Sequence, residues 1–377
     1  MNTGHETIHI NRLIISLSLI WAILPGPLAA QADHQLLPGE LPYEEVKDEC
    51  QEALRLQSGK LFREVEKIAE TSSDDGKTWQ THGPISPFTL GGKLDHVAIQ
   101  LQSPKYKGRI VVPLYLGMYG KHPDYDYKEQ GGYAIYRGEV IRLQTHTHHP
   151  EMSGSFVCYS DDDGKTWRSC VTHNGRGFMV GYFKDGHMGH MTCEEPVVVE
   201  LKDGRLMCYM RSTCGRIIKS YSEDGGEHWM KVQPTDIAMS NSPCAMKSLP
   251  GTGDLVLVWN MMSADEICKG YRRGRLCIAI SKDDGDTWEN VRTLDQSPGV
   301  ETKNWVEPPP LQAMVRGPSG RDNLMGEIPD DFTHYHYCSI FLSEDKIFLH
   351  YRASTPVGGH SEWRRRVFPI TWLYEGE

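Results

Sequence analysis

Four copies of an eight-residue motif constrain the fold of this chain more than any other feature of its sequence. The copies span 72–79, 160–167, 222–229 and 281–288, and all of them fit the pattern Ser-x-Asp-x-Gly-x-(Thr/His)-Trp. Their first serines are 88, 62 and 59 residues apart. A recurrent period of this size is typical of stacked supersecondary units such as the blades of a propeller.

Each motif predicts a hairpin corner between two strands. The Asp side chain accepts hydrogen bonds from backbone N–H groups just ahead of it, the Gly takes a positive φ, and the Trp covers the next strand. Strand-like runs precede two of the motifs, at 154–159 and 276–280, and helical periodicity is nearly absent. The chain is therefore predicted to be all-β. Because one turn explains each motif aspartate, we expect catalysis elsewhere than at Asp74, Asp162, Asp224 and Asp283.

The motifs resemble the Asp-box, or bacterial neuraminidase repeat, of the sialidase superfamily. The resemblance continues between boxes, through 194–206 into the third copy and through 252–260 and 271–276 into the fourth. This resemblance implies a six-bladed β-propeller of four-stranded antiparallel blades with Asp-box hairpin turns. Because a fold does not fix a function, the chemistry has to be sought in particular residues.

The resemblance also implies a retaining exo-α-sialidase. A sialoside carries a carboxylate on its anomeric carbon, so a carboxylate nucleophile would be repelled, and the family uses a Tyr activated by a Glu. Three arginines hold the substrate carboxylate, because a guanidinium matches it in a bidentate fork. An acidic residue protonates the leaving oxygen. No cofactor is implied, and the expected partner is a glycan that ends in sialic acid or another acidic sugar.

Motif matching assigns these roles to particular positions. Tyr337 corresponds to the nucleophile, with Tyr335 as the alternative, and Glu195, in a Glu-Pro pair, corresponds to the activating base. Arg211 matches the arginine one strand later, and Arg273 best matches the arginine that precedes the next box. Two further arginines stay open as substrate-binding candidates: Arg272, within register error of Arg273, and Arg352, which competes with 364–366 for a place on the central axis.

Two departures from the family pattern keep other functions open. Upstream of Gly59, where the family has Phe/Tyr-Arg-Ile-Pro, the stretch 48–52 holds no arginine, and Arg55 and Arg63 are the nearest substitutes. The family's acid/base loop is also missing, which leaves Glu66 and Asp95 as the candidate acids. The alternatives are therefore a propeller glycosidase for a different sugar and a glycan-binding propeller without catalytic activity.

The first 32 residues are predicted to be a secretory signal peptide. Arg12 precedes an apolar run over 13–24, a Pro-Gly-Pro break follows at 25–27, and small residues at 30–32 offer a cleavage site. Because the run is too short to span the roughly 30 Å hydrocarbon core of a bilayer, no membrane span is expected after cleavage. We expect a secreted or periplasmic protein with one propeller domain over 33–377.

Charge and loop composition complete the sequence-based expectations. The 40 basic and 50 acidic side chains give a net charge of −10, which argues against nucleic acid as a partner. Export permits disulfides, and Cys158 with Cys170 is the best candidate pair, although small buried hydrophobes are the default interpretation of the cysteines. The histidines at 146–149, with His187 and His190, are interpreted as a solvated loop and not as a metal site. The long first interval between boxes predicts a substrate-facing insertion within 103–155.

Overall fold

Five antiparallel sheets follow one another along the chain, and in all of them except the second the strands are neighbours in sequence. The computed structural model describes residues 53–86, 98–118, 133–136, 139–142, 152–171, 179, 193–212, 214–309, 329–355 and 359–375. Among these residues four sheets have four strands and one has three, and a two-stranded hairpin is separate from all of them. Each of the five sheets is one blade.

The first and second blades contain the first two Asp-boxes. Blade 1 consists of β1 (Leu54–Arg55), β2 (Leu61–Val65), β3 (Ile68–Ser72) and β4 (Gln80–Pro84). Blade 2 consists of β5 (Ile99–Gln100), β6 (Ile110–Met118), β9 (Met152–Ser160) and β10 (Arg168–Ser169). The separate hairpin, β7 (Tyr133–Tyr136) and β8 (Glu139–Arg142), lies in the sequence between β6 and β9.

The third and fourth blades contain the other two boxes, and the fifth blade contains none. Blade 3 consists of β11 (Glu194–Glu200), β12 (Leu206–Arg211), β13 (Arg216–Ser222) and β14 (Gln233–Ala238). Blade 4 consists of β15 (Ala245–Ser248), β16 (Leu255–Trp259), β17 (Arg275–Ser281) and β18 (Glu289–Gln296), with helix α1 (Ala264–Cys268) between β16 and β17. Blade 5 consists of β19 (His334–Leu342), β20 (Lys346–Ser354) and β21 (Ser361–Pro369).

The prediction of four-stranded antiparallel propeller blades is confirmed, but the number six is wrong. A complete blade repeats every 59 to 62 residues in this chain, and the strands extend only from Leu54 to Pro369. This length holds five repeats. In the described part of the first box interval, the excess contributes the two-stranded β7–β8 hairpin and no further blade.

Each central blade buries both of its faces, which explains why its strands are apolar without interruption. In β12, Cys208 and Met210 pack toward the core shared with blades 1 and 2, whereas Met207 and Tyr209 pack toward blade 4. The same alternation follows in β16, whose residues divide between the core with blade 3 and the core with blade 5. Period-2 alternation therefore assigns successive residues of one strand to two different inter-blade cores.

The Asp-boxes form the predicted hairpin corners. In the first box, Asp74 accepts hydrogen bonds from the Thr78 N–H at 2.9 Å and the Thr78 hydroxyl at 2.6 Å, and Gly76 has φ +83°. The Trp79 indole N–H donates to the Gly76 carbonyl at 3.0 Å. The hydrogen bond from the Thr78 hydroxyl, followed by that from the Thr78 N–H, lowers the pKa of Asp74 to about 2. In the other three boxes the Asp carboxylate likewise accepts a hydrogen bond from the residue four positions later in its own turn.

The boxes define two ends of every blade. Strands β3, β9, β13 and β17 run toward their boxes, so they begin at the opposite end, which we call the distal end. Strand β6 ends and strand β9 begins at this distal end, and the residues between them in the sequence are part of the predicted insertion within 103–155. Most of the insertion lies outside the described residues, so its role in contacting substrate stays a prediction.

The candidate disulfide between Cys158 and Cys170 does not form, in agreement with the default interpretation of the cysteines as small buried hydrophobes. Both residues are thiols, and the Cys170 sulfur accepts a hydrogen bond from the Val157 N–H at 3.2 Å. Burial raises the pKa of each thiol to about 12, so both remain protonated and unreactive. They serve as small buried hydrophobes. No helix in the described part of the chain has the length and apolar character needed to cross a membrane.

A buried arginine joins the boxes of blades 2 and 3. Arg109, only 6% exposed, donates to Asp161 at 2.7 Å and to the Gly225 carbonyl at 3.1 Å, and it pairs with Glu227 at 3.0 Å. Its guanidinium also lies over the Tyr159 ring, at 4.5 Å from the centroid. One side chain thus ties two hairpin corners together across a blade boundary.

We expect Arg109→Met to lower the free energy of unfolding by about 2–4 kcal/mol, because it removes the hydrogen bonds that this buried side chain donates to Asp161, Glu227 and the Gly225 carbonyl. Urea denaturation of both proteins measures the difference. Arg205→Met is the control, because Arg205 pairs with Asp203 at the surface, where the two side chains are 41% and 48% exposed. An exposed pair contributes about 0–1 kcal/mol. Equal losses in the two variants would contradict the role assigned to Arg109.

Candidate active site

A β-bulge at the distal end of blade 3 presents Glu195. The register of β11 and β12 shifts between Glu194 and Val197, and Glu195 has φ +46°. Pro196 has no N–H to donate to the ladder, which favours a bulge at this point. The backbone therefore leaves the regular strand at the first acidic candidate. Glu195 is 6% exposed.

Arg211, the last residue of β12, closes on this glutamate. Its Nη1 donates to Glu195 Oε2 at 2.7 Å, and its Nε donates to Asn241 Oδ1 at 2.6 Å. A second carboxylate, that of Glu194, lies 3.9 Å from Nε. Burial acts to lower the pKa of Arg211, but the charges of Glu195 and Glu194 outweigh it and the pKa is raised. Arg211 is thus a fixed cation with restricted rotation.

Blade 5 contributes Tyr337 through a second bulge. The register of β19 and β20 shifts between His336 and Ser339, and Tyr337 has φ +50°. The bulge turns its phenol out of the ladder, and 44% of the residue is exposed. A tyrosine with this exposure is accessible to a ligand.

Arg273, which belongs to blade 4, lies beside the Tyr337 ring of blade 5. It precedes β17, has φ +58°, and its guanidinium carbon lies 5.5 Å from the centroid of the Tyr337 ring. Its Nη2 donates to the Asn241 carbonyl at 3.2 Å, so Asn241 contacts both arginines. Burial and the positive charge of Arg211 lower the pKa of Arg273. The charge of Glu195 and that of the Tyr337 phenol act in the opposite direction.

Glu195, Arg211, Arg273 and Tyr337 therefore form one electrostatically coupled cluster from three blades. Three of them, all except Arg211, have left-handed backbone, which costs a non-glycine residue of the order of 1–3 kcal/mol. Backbone in sparsely populated conformations concentrates at functional sites, where it fixes side-chain direction. Burial and then the positive charge of Arg211 lower the pKa of Arg273, and two guanidinium groups this close together form a favourable place for an anion.

The imidazole of His336 contacts the guanidinium of Arg273 and fixes its orientation. Arg273 Nη1 lies 2.6 Å from His336 Nδ1, and His336 Nε2 lies 2.8 Å from the Ser354 hydroxyl oxygen. Because a guanidinium only donates, Nδ1 is the acceptor and the ring proton is on Nε2. Burial, followed by the charges of Arg273, Arg352 and Arg272, lowers the pKa of His336 to about 3. A neutral imidazole therefore orients Arg273.

We expect stability to depend on pH through this histidine. The pKa is about 3 in the folded protein against an ordinary 6.5, so the unfolded chain binds more protons between those values. The contribution of His336 is complete above pH 6.5 and is lost as the pH falls toward 3. His336→Gln should therefore weaken the pH dependence of the unfolding free energy, measured by denaturation from about pH 7 to about pH 4.

The exposed His360 provides the control for this experiment. Its side chain is 70% exposed, and His360→Gln is expected to keep the wild-type slope. An unchanged slope in His336→Gln would contradict the neutral, buried state assigned to that imidazole.

The other candidates occupy different places. Tyr335 is 3% exposed and packs edge-on against Tyr351 in the core, so its hydroxyl does not face Tyr337. Arg352 donates to the Ser361 hydroxyl at 2.5 Å. Its positive charge, like that of Arg272, contributes to lowering the pKa of His336. Glu66 is exposed in the two-residue turn between β2 and β3, at the distal end of blade 1. Asp95 lies outside the described residues.

The proposed substitutes for the missing first arginine are engaged elsewhere. Arg55 donates to Asp75, in the first box, and therefore lies at the end opposite the cluster. Arg63 donates to Glu70 and stacks on Trp79, at 3.8 Å from the ring centroid. The histidines of 146–149 and 187–190 lie outside the described residues. Within the described part of the chain no group of three His, Cys, Asp or Glu side chains is arranged to hold a metal ion.

Sequence reasoning missed Asn241 and His336. Asn241 lies in the connection between β14 and β15, within a Ser-Asn-Ser stretch that resembles an ordinary turn. His336 is a neighbour of Tyr337 in a run of alternating His and Tyr, and nothing in that run distinguishes an arginine-binding imidazole from a rim residue. The contacts of these two residues depend on how the blades meet.

Comparison with known proteins adds a family match. The family model described as "BNR repeat-like domain" matches residues 55–350. Among solved structures, the intramolecular trans-sialidase from Ruminococcus gnavus in complex with oseltamivir carboxylate is 18% identical. That match covers 82% of this chain and 51% of that one, with a TM-score of 0.45.

Two more solved structures illustrate the range of the matches. The leech intramolecular trans-sialidase complexed with 2,7-anhydro-Neu5Ac is 17% identical, with 81% of this chain and 36% of that one covered and a TM-score of 0.45. An α-L-arabinofuranosidase from Fusarium graminearum with an iminosugar inhibitor is 14% identical, with 86% and 93% covered and a TM-score of 0.41. This chain thus spans about half of the first trans-sialidase and about a third of the second.

Proposed function

The chain belongs to the BNR repeat-like domain family, and from this premise we propose that it is a retaining glycoside hydrolase of the exo-α-sialidase type. One observation carries the proposal. Glu195, Arg211, Arg273 and Tyr337, from three blades, interact in a single cluster in which the cations are held and the phenol is accessible. The cluster supplies a phenol as nucleophile, a carboxylate as its base and two cations for a substrate carboxylate, which are groups that the proposed hydrolysis uses.

The two arginines bind the carboxylate of the substrate. Arg211 is fixed by Glu195 and Asn241, and Arg273 by His336 and the Asn241 carbonyl, so neither guanidinium has to be ordered when substrate arrives. An arriving carboxylate also relieves the repulsion that lowers the pKa of Arg273. Prior fixation of charged groups lowers the entropic cost of binding and favours specificity for an anionic sugar.

Tyr337 attacks the anomeric carbon while Glu195 accepts the phenolic proton. A new bond forms between the phenolic oxygen and the anomeric carbon, and the bond from that carbon to the aglycone oxygen breaks. The aglycone leaves with a proton from an acid, for which Glu66 and Asp95 are the candidates. Water then cleaves the tyrosyl intermediate on the same face, so the configuration of the sugar is retained.

A second candidate function is hydrolysis of a different acidic sugar on the same site. It is favoured by the number of cations, because among the described residues two arginines, and not three, interact with Tyr337. A uronic acid, whose carboxylate is not on the anomeric carbon, places a different demand on the arginines. The nucleophile and the arginine pair would keep their roles.

Release of 4-methylumbelliferone from its α-sialoside by the purified protein tests the proposal, with the corresponding glucuronide assayed in parallel. Turnover of the sialoside, with retention of configuration in the sugar first released as followed by NMR, is the expected result. Turnover of the glucuronide alone would favour the second candidate. If folded protein releases the fluorophore from neither compound, the hydrolase proposal fails, and binding of glycans without turnover becomes the better account.

A further inference from the structure

Asn241 is the residue that both arginines of the cluster contact. It lies in the connection between β14 and β15, and it is 8% exposed. Its Oδ1 accepts the hydrogen bond from Arg211 Nε at 2.6 Å, and its backbone carbonyl accepts that from Arg273 Nη2 at 3.2 Å. One asparagine therefore lies between a guanidinium of blade 3 and a guanidinium of blade 4.

The backbone on either side of Asn241 is fixed. Ser240 and Ser242 are fully buried, and their hydroxyl oxygens lie 3.1 Å apart. The Ser240 N–H donates at 3.2 Å to the carbonyl of Asn260, which follows β16, and the Ser242 N–H donates to the Ser240 carbonyl at 2.7 Å. Buried polar groups that are hydrogen-bonded in this way rigidify the segment, so the Asn241 side chain has a defined direction.

The contact with Arg211 fixes which way the Asn241 carboxamide faces. A guanidinium only donates hydrogen bonds, so the amide atom beside Arg211 Nε is the oxygen, and the nitrogen points away from it. Within the described part of the chain Nδ2 donates to no acceptor. It is accessible to solvent, since it is not one of the buried polar atoms that lack a partner. An amide nitrogen carries two N–H donors, so Asn241 offers both to a ligand.

Arg211 offers a donor group at the same place. Its Nε and Nη1 are engaged by Asn241 and Glu195, and Nη2 has no hydrogen-bond partner among the residues that the structure describes. Nη2 shares a carbon with Nε, and Nδ2 of Asn241 shares a carbon with Oδ1. The two open donor groups therefore flank the Nε···Oδ1 hydrogen bond, where a single carboxylate can contact both.

A neutral donor suits a cluster in which positive charge is already crowded. Because burial and then the charge of Arg211 lower the pKa of Arg273, a third guanidinium here would add a further repulsion. The Asn241 amide adds donors without adding charge. A carboxylate has two oxygens with about four lone-pair sites, and the two guanidinium groups are partly occupied by Glu195 and His336, so acceptor capacity remains for a third donor.

We propose that Asn241 binds the substrate carboxylate directly, donating from Nδ2 as the third ligand of the anion beside Arg211 and Arg273. The sequence has no arginine where the family has its first, at 48–52, and this amide supplies the missing donor. Asn241 is then a specificity-determining residue as well as a positioning one. The identity of the substrate rests on the proposed hydrolase function, whereas the open donor rests on the contacts of Asn241 alone.

Two substitutions at this position separate donation from positioning. Asn241→Asp keeps an oxygen for Arg211 and the backbone carbonyl for Arg273, but it replaces the donor by a negative charge. Asn241→Ala removes the oxygen and the donor together. We expect the affinity for N-acetylneuraminic acid, measured by NMR titration, to fall by about 10- to 30-fold in Asn241→Ala and by about 100-fold or more in Asn241→Asp. The reverse order, with Asp close to wild type and Ala impaired, would mean that Asn241 only positions the arginines.

The methyl ester of the same sugar shows whether the contact is direct. It carries no charge but keeps a carbonyl oxygen for the amide, so Asn241→Asp should still weaken its binding by about 3- to 10-fold. An unchanged affinity for the ester would mean that the introduced charge acts at a distance, and it would overturn the direct contact.

Asn260→Ala is the matched control, because Asn260 is a buried asparagine, 3% exposed, whose Nδ2 donates to the Arg275 carbonyl at 3.3 Å. It should lower the temperature of thermal unfolding and change the affinity for the acid less than twofold. An equal loss of affinity in Asn260→Ala and Asn241→Ala would trace both losses to reduced stability and refute the role of Asn241.

Equilibrium binding requires no turnover, so this inference and the hydrolase proposal fail separately. If the glucuronide proves to be the substrate, D-glucuronic acid and its methyl ester replace the sialic acid pair in the same titrations. A protein that binds the acid with the expected order of variants but releases the fluorophore from neither glycoside would keep the third donor and refute the hydrolase. A protein that hydrolyses the sialoside with wild-type kcat/KM in both Asn241 variants would keep the hydrolase and refute the third donor.

Discussion

Replacing Tyr337 by Phe is expected to lower kcat for the 4-methylumbelliferyl sialoside by roughly 10³-fold or more, because the change removes the attacking oxygen. The fold should survive. Tyr337 is 44% exposed and its ring, which lies near the Arg273 guanidinium, is kept. Steady-state kinetics on the purified variant, with its thermal unfolding recorded alongside, measures the effect.

The neighbouring tyrosine of β19 offers a matched control. Tyr335→Phe removes the same hydroxyl from a residue that is 3% exposed and packs against Tyr351. We expect a loss of stability of about 1 kcal/mol and a change in kcat of less than about twofold. If Tyr337→Phe keeps its activity while Tyr335→Phe loses it, the nucleophile has been placed on the wrong residue. If both keep it, the reaction does not use a tyrosine.

The contrast between these tyrosines shows where sequence reasoning ends. Motif matching gives Tyr337 as the nucleophile with Tyr335 as the alternative, and strict strand alternation would place both residues on the same face. The bulge after His336 and the φ of +50° at Tyr337 break that alternation, and one phenol is buried while the other is exposed. Unlike the bulge beside Pro196, the bulge of β19 has no proline to mark it in the sequence.

The parts of the fold that were predictable are local. An Asp-box carries its own turn chemistry, so the corners after β3, β9, β13 and β17 could be inferred from eight residues each. The number of blades cannot be inferred from a local motif, and blade 5 contains no Asp-box by which it could be recognised. Expecting six blades therefore relied on the resemblance alone, and the structure has five in its described residues.

The candidate site divides in the same way. Glu195 and Arg211 belong to motifs that sequence comparison can align, and Arg211 Nη1 donates to Glu195 Oε2 at 2.7 Å. Asn241 and His336 belong to no motif, yet they set the direction of both arginines. Groups that orient other groups are selected for position and not for chemistry, so a sequence pattern seldom identifies them.

Replacing Arg211 by Lys is expected to lower kcat/KM for the sialoside by about 10²- to 10³-fold, which corresponds to losing a buried, hydrogen-bonded charge contact of roughly 3–4 kcal/mol. The charge is kept, so Glu195 is not left unpaired and the fold is retained. However, a single ammonium cannot contact Glu195 and Asn241 and also present a fork to the substrate carboxylate. Arg272→Lys, which keeps the charge that acts on His334 and His336, should change kcat/KM by less than about threefold.

A pair of ligands determines whether the lost interaction is with the carboxylate. Wild-type protein should bind N-acetylneuraminic acid much more tightly than its methyl ester, because only the acid offers an anion to Arg211 and Arg273. In Arg211→Lys the ratio of the two affinities should be much smaller, since the substitution weakens the contact with the carboxylate, which only the acid has. A variant that loses affinity for acid and ester alike would have a distorted cavity, and Arg211 would then act on the shape of the site and not on the charge of its ligand.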